Sequence, residues 1–159
     1  MPRRAARQTP SAFRGTQVAA HKSREDIEIR LVNAGAEAVQ WQSVRDATAA
    51  QMLLRFKFRG RVYRFRLPLF DAEAQTEEAR RRDERQRLRA LHWSIKAMLD
   101  AEDFGMLKFE DLALAFAEVA LPEAGQTITV GEVINAQLDA ARLPDLTASL
   151  RALSGRTTS

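Results

Sequence analysis

Residues 50–68, AQMLLRFKFRGRVYRFRLP, alternate apolar and polar side chains on both sides of Arg59 and Gly60. Because successive side chains of a strand point to opposite faces, this alternation predicts a β-hairpin with one apolar face. A tight turn at Arg59-Gly60 pairs Phe58 with Arg61, although it requires a positive φ at Arg59, where Asn or Asp is commoner. The same register predicts three apolar cross-strand pairs, which are Phe56 with Tyr63, Leu54 with Phe65 and Met52 with Leu67.

The opposite face of the predicted hairpin is cationic. It carries Arg55, Lys57, Arg64 and Arg66, with Arg59 and Arg61 near the turn. The register places Arg55 directly opposite Arg64, and like charges in that position destabilise a sheet. We therefore expect an anionic group over this face, either a nucleic-acid backbone or the acidic segments of the protein itself.

The charges of the chain are unevenly distributed, although the net charge is only +4. Residues 1–22 contain five basic side chains and no acidic one, and residues 50–96 contain thirteen basic and six acidic. Residues 97–159 contain four basic and ten acidic side chains. This segregation favours a polyanionic partner, or neutralisation of the basic part by the acidic part within the fold or between chains.

Composition narrows the functional classes. The 159 residues are 45% hydrophobic, which is enough for one domain with a sizeable core. The absence of cysteine excludes disulfides, thiolate metal sites and cysteine nucleophiles. We expect His92 to be a packed residue because the sequence indicates no nucleophile or second histidine near it. The sequence thus predicts no catalytic residues, no metal and no cofactor. No apolar run approaches the roughly 18 residues of a bilayer span, so we expect no membrane partner.

The domain boundaries follow from periodicity. Residues 1–22 have none and are predicted to be a disordered basic arm, which either follows phosphates or is a solvated tail. Residues 23–155 are predicted to form a single α+β domain, and residues 156–159 a frayed tail. The domain opens with a helix over about 24–34, with Ser23 as its N-cap and Gly35 beyond its end.

A strand at 38–42 completes a three-stranded antiparallel meander with the hairpin. We expect its Trp41 to pack in the core, with stacking on a base as the alternative. A long helix over about 77–102, capped by Thr76, should cover the apolar face of the hairpin through Leu88, Leu91, Ile95 and Met98.

A second stripe of this helix combines basic and aromatic side chains, which are Arg82, Arg85, Arg89, Trp93 and Lys96. Arg and Lys contact phosphates and an aromatic ring can stack a base, so this stripe indicates a nucleic-acid surface. The alternative is a solvated helix with i,i+4 ion pairs such as Glu77 with Arg81.

The acidic C-terminal part is predicted to contain both helices and a small hairpin. An acidic cluster, Asp100, Glu102, Asp103, Glu110 and Asp111, should complement helix dipoles or the basic sheet rather than bind a metal. A short helical stretch from Phe109 to Phe116 is followed by a small hairpin from 117–121 and 127–130. A capping box of Thr129 and Glu132 begins a helix over 130–142, with Val133, Ile134 and Leu138 directed inward, and a last helix runs from Pro144 towards Gly155.

Several blocks of sequence, taken in order, resemble a widespread group of small, uncharacterised proteins carried by bacterial prophages and other mobile elements. The blocks are Gly35-Ala36, residues 64–68 (RFRLP), 85–91 (RQRLRAL), 95–97 (IKA), 109–111 (FED), Leu121-Pro122 and 129–132 (TVGE). The resemblance covers about residues 23–132. It implies a mobile-element setting and the cytoplasm of the host bacterium, and it carries over no catalytic residue.

Together these features predict an α+β fold in which a three-stranded antiparallel sheet packs on a long central helix, followed by a small hairpin and C-terminal helices. The predicted function is a non-enzymatic nucleic-acid-binding accessory protein that contacts the phosphate backbone, of DNA in preference to RNA, with weak sequence specificity. The alternative is a protein-interaction or assembly module whose basic surface (50–96) meets an acidic partner, or the acidic surface (97–159) of another copy.

Overall fold

A computed structural model describes residues 12–45, 50–70, 76–121 and 125–140 of the protein. The fold is α+β, as predicted. In chain order its elements are α1 (Ala20–Asn33), β1 (Ala38–Arg45), β2 (Ala50–Phe58), β3 (Arg61–Pro68), α2 (Glu77–Asp103), α3 (Phe109–Leu112), a 3₁₀ turn (Leu114–Phe116), β4 (Glu118–Leu121), β5 (Gln126–Thr129) and α4 (Val130–Asp139).

The first three strands form an antiparallel sheet in the order β1-β2-β3, and the predicted hairpin register is confirmed. Phe58 pairs with Arg61 across a two-residue turn, and Arg55 lies opposite Arg64. Arg59 adopts a φ of 50° in this turn, as the register requires. The sheet therefore has the apolar and cationic faces that the alternation predicts.

The core lies between the apolar face of the sheet and two helices packed side by side. Ile27 and Leu31 of α1 are buried there with Leu91 and Ile95 of α2, and Leu88 is buried in an adjoining cluster. Phe109 of α3 closes one end of the core by packing edge-on against Phe58 and Tyr63, with ring centroids 5.1 and 5.5 Å apart. Trp41 packs against both clusters while half-buried, which confirms its predicted core position.

The start of α1 corrects the prediction from local sequence. The helix begins at Ala20, so Ser23 is a fully buried residue inside it and not its N-cap. Packing of Ala20 against Leu88 and its neighbours extends the helix by one turn and outweighs the capping preference of Ser23. The end is as predicted, because Gly35 has a φ of 103° and the Ala36 N–H donates to the Leu31 carbonyl at 2.9 Å.

The C-terminal part contains the predicted small hairpin, β4 paired with β5, and the predicted capping box. Thr129 accepts from the Glu132 N–H, and the Glu132 carboxylate accepts from the Thr129 N–H. The inward direction predicted for Ile134 and Leu138 is wrong, because these side chains are 40% and 49% exposed. It is the first turn of α4 that packs on the protein, where Gly131 approaches Ala115. The predicted helix from Pro144 and the tail 156–159 lie outside the described residues, as do residues 1–11.

Candidate nucleic-acid interface

The predicted site residues fall into two groups on opposite sides of the sheet. Arg55, Lys57, Arg64 and Arg66 project from the face opposite the helices, with Arg59 and Arg61 at the turn. Arg82, Arg85, Arg89, Trp93 and Lys96 lie on α2, which covers the apolar face. The two groups are thus separate surfaces.

The centre of the hairpin face is neutralised by a carboxylate of β4. Arg55 donates from Nη2 to Oε2 of Glu118 at 2.7 Å, and Arg64 Nε lies 3.7 Å from Oε1 of the same residue. The Glu118 side chain is only 4% exposed. We expected either a nucleic-acid backbone or an acidic segment of the protein over Arg55 and Arg64. In the structure Glu118, an acidic residue of the protein itself, lies there.

A second carboxylate, from α4, completes this neutralisation. Arg64 donates from Nη2 to Glu132 Oε2 at 2.9 Å, and Arg66 Nη2 lies 3.8 Å from Oε1. Glu132 also accepts hydrogen bonds from the backbone and side chain of Thr129, and these, followed by Arg64, hold its pKa below the ordinary value. Glu132 therefore belongs to the capping box of α4 and also joins this helix to the sheet.

The outer cations of the hairpin also have acidic neighbours. Lys57 Nζ lies 2.5 Å from Glu37 Oε2. Arg59 donates to Glu102 at 2.7 Å and to Glu110 at 3.1 Å, and these hydrogen bonds raise its pKa. Glu102 and Glu110 of the acidic cluster thus complement the basic hairpin, as predicted. Arg61 is exposed beside the turn.

The edge of α2 differs from the hairpin face, because two of its cations lie over an exposed aromatic ring. Trp93 is 42% exposed, and its ring centroid is 5.5 Å from Arg89 Cζ and 5.8 Å from Lys96 Nζ. Arg89 Nη1 is 3.3 Å from Asp26 Oδ2 of α1, and Lys96 contacts Asp100. Further towards the start of α2, Arg85 is half-buried, and Arg82 Nη2 is 3.6 Å from Asp83 Oδ1.

A buried histidine supports the Trp93 ring from inside. His92 packs edge-on against it, with centroids 5.5 Å apart, and is 6% exposed. Burial, and then the neighbouring Arg89, lower the pKa of His92 below its ordinary value. The packed role predicted for His92 is confirmed.

Sequence reasoning missed Phe13, which it assigned to the disordered arm. The Phe13 ring lies parallel to Trp93, with centroids 6.5 Å apart and planes 3° from parallel. The Gln86 side chain donates to the Ala12 carbonyl at 2.5 Å and fixes this segment on α2. One signal was available, since Phe13 is the only Phe, Tyr or Trp in the first 40 residues. An aromatic ring among basic side chains can pack on the fold or stack a base.

Comparison of the chain with protein-family models, curated proteins and solved structures finds no match. What the two surfaces bind must therefore be judged from their own geometry. None of the helices in the described ranges has both the length and the apolar character that a bilayer span requires.

Proposed function

We propose that the protein is a non-enzymatic nucleic-acid-binding accessory protein that contacts the phosphate backbone through the edge of α2. The observation that supports this proposal is the exposed Trp93 ring between Arg89 and Lys96. Guanidinium and ammonium groups bind phosphates, while an adjacent aromatic face stacks a base. We call the surface formed by Arg82, Arg85, Arg89, Trp93 and Lys96 the α2 edge.

The hairpin face is less suited to this role than its charge suggests. A phosphate at Arg55 or Arg64 would have to displace Glu118, a buried carboxylate that already accepts charge-assisted hydrogen bonds. Lys57, Arg61 and Arg66 lie outside that pair and serve as secondary phosphate contacts.

The N-terminal segment adds charge next to the α2 edge. The described chain begins at Ala12, which is hydrogen-bonded to Gln86 of α2, and Arg14 follows close by. The preceding sequence contributes Arg3, Arg4 and Arg7 and no acidic residue. Arg14, which is exposed, therefore adds a positive charge to the segment that packs beside the α2 edge.

Contacts of this kind give weak sequence specificity and a strong dependence on salt, since affinity comes from released counterions. We place the protein in the cytoplasm of a bacterial host, as an accessory of a phage or other mobile element, on the basis of the sequence resemblance. The expected ligand is DNA in preference to RNA.

Fluorescence anisotropy of the full chain with labelled single-stranded DNA, duplex DNA and RNA tests the proposal. Binding at about 50 mM salt that weakens linearly on a log–log plot as salt rises is the expected result. Absence of binding to all three ligands at low salt would contradict it.

A protein-interaction or assembly module is the second candidate. Its support is a group of exposed apolar side chains, Ile29, Val32, Phe104, Met106 and Leu107, near the C-terminal ends of α1 and α2. Beside them is an open groove of about 570 Å³ whose lining includes Asp26, Ile29 and Glu102. Exposed apolar residues mark a protein contact where they form a contiguous patch.

Light scattering over a salt series tests this second candidate. An oligomer that dissociates as salt rises supports complementary basic and acidic surfaces on different chains. An oligomer that is indifferent to salt but is lost on Phe104→Ser supports the apolar surface, and a monomer at all salt concentrations contradicts both.

A further inference from the structure

The backbone of Phe13 is held in an unfavourable conformation beside Trp93. Its φ is 59°, a left-handed value that is rare for a bulky residue and is strained. Two hydrogen bonds hold the turn, one from the Thr16 N–H to the Phe13 carbonyl at 3.0 Å and one from Gln86 to the Ala12 carbonyl. Strain of this kind is retained where the position of a side chain matters.

The two rings are aligned without covering one another. Phe65 and Phe116, which stack closely in the same protein, have centroids 4.1 Å apart, whereas the centroids of Phe13 and Trp93 are 6.5 Å apart. Phe13 and Trp93 are 38% and 42% exposed. Their alignment therefore leaves apolar, planar surface available to a third ring.

The charged side chains beside Phe13 and Trp93 determine which kind of aromatic ligand can bind as the third ring. Arg89 Cζ and Lys96 Nζ lie over the Trp93 ring, so an anionic group attached to a base stacked beside them would meet a guanidinium or an ammonium group. A nucleobase with its phosphodiester combines a flat aromatic face with a nearby negative charge. Bases of a duplex are already stacked and paired, which leaves single strands as the ligands that present free base faces.

We infer that Phe13 and Trp93 form a stacking platform for an unpaired nucleobase, with Arg89 and Lys96 binding the adjoining phosphates. This inference rests on the proposed function and narrows its ligand to single-stranded nucleic acid. Phe13, which belongs to neither predicted basic surface, is a binding residue of the platform.

Binding of the full chain to three labelled probes tests the platform: oligothymidylate, an abasic strand of the same length and a DNA duplex. The variants are Phe13→Ala and Trp93→Leu, and the control is Leu138→Ala, which truncates a large apolar residue that is 49% exposed on α4. Loss of one stacked base is expected to weaken oligothymidylate binding about tenfold or more in either variant. The abasic strand should bind the variants and the parent equally, and Leu138→Ala should bind all probes as the parent does.

If Phe13→Ala or Trp93→Leu fails to fold, the fluorescence of Trp93 provides a second test. The chain has two tryptophans, so Trp41→Phe leaves Trp93 as the sole indole. Oligothymidylate should quench its fluorescence, while the abasic strand should bind without quenching.

Equal binding of base-containing and abasic strands, with no quenching of Trp93, would overturn the platform and leave the proposed function intact. Failure of the parent to bind any of the three probes would overturn both.

Discussion

Arg55 donates to Glu118 from Nη2 at 2.7 Å and from Nε at 3.1 Å, across 63 residues of sequence. The carboxylate lies within 3.7 Å of Arg64 as well, the residue that faces Arg55 in the sheet. An ion pair in this position offsets the repulsion that the hairpin register creates. It also holds β4 against the cationic face.

Replacing the charge of Glu118 should therefore destabilise the fold. Glu118→Gln keeps the size of the side chain but leaves two opposed arginines beside a neutral amide, and we expect the free energy of unfolding to fall by about 1–3 kcal/mol. Urea denaturation followed by circular dichroism measures the loss.

The control for this substitution is Glu25→Gln, which removes an ion-paired carboxylate whose side chain is 58% exposed. It should cost less than about 1 kcal/mol, because solvent screens surface pairs. Equal losses in the two variants would show that Glu118 is not a structural ion-pair partner.

The lowered pKa of Glu132 predicts a specific dependence on pH. A carboxyl group with a folded-state pKa below its ordinary value of 4.5 contributes stability above that value and loses it as pH falls through the folded-state pKa. Glu132→Gln should thus be less stable than the parent at neutral pH. The difference should shrink as the solution is acidified.

Urea titrations of the parent and of Glu132→Gln over a series of pH values provide this measurement. Glutamine at this position can still accept the Thr129 N–H of the capping box, so the comparison isolates the charge. A stability difference that is constant from neutral pH to well below 4.5 would contradict the predicted role of the Glu132 charge.

The close approach of α4 to the 3₁₀ turn gives a third prediction. A Cβ atom at Gly131 would lie 2.9 Å from the Ala115 carbonyl oxygen, so Gly131→Ala must displace the first turn of α4. We expect a loss of about 1–3 kcal/mol in the free energy of unfolding, despite the higher helix propensity of alanine. Gln137→Ala, at an exposed position of the same helix, should change it by less than about 0.5 kcal/mol. A neutral or stabilising Gly131→Ala would contradict this packing.

Local patterns were sufficient to predict the sheet and α2. Period-two alternation and the Arg59-Gly60 turn fix which side chains pair, so the opposition of Arg55 and Arg64 could be predicted without a structure. The apolar stripe of α2 and its Thr76 cap could likewise be predicted from the sequence alone.

Contacts between segments distant in sequence could not be predicted in this way. The total charge of residues 97–159 indicated that acidic groups were available, but the choice of Glu118 depends on where β4 lies in the fold. Phe13 was missed for the same reason, because its position is set by Gln86, 73 residues later in the chain, and by no periodicity of its own.

We propose that nucleic acid binds mainly at the α2 edge, with the hairpin face making only secondary contacts. Two double variants with the same change in charge separate these surfaces. Arg89→Gln with Lys96→Gln alters the α2 edge, and Lys57→Gln with Arg66→Gln alters the hairpin face. All four side chains have carboxylate neighbours in the folded protein, and Arg89 and Lys96 are the less exposed pair, at 19% and 28% against 48% and 54% for Lys57 and Arg66.

The most direct measurement is the salt dependence of single-stranded DNA binding by the parent and the two double variants. The α2-edge variant should bind more weakly at every salt concentration, and its slope of log K against log salt should be shallower by about 1.4, since each lost phosphate contact removes about 0.7. The hairpin variant should keep most of the parental affinity and slope. A hairpin variant that loses as much as the α2-edge variant, or more, would contradict the claim.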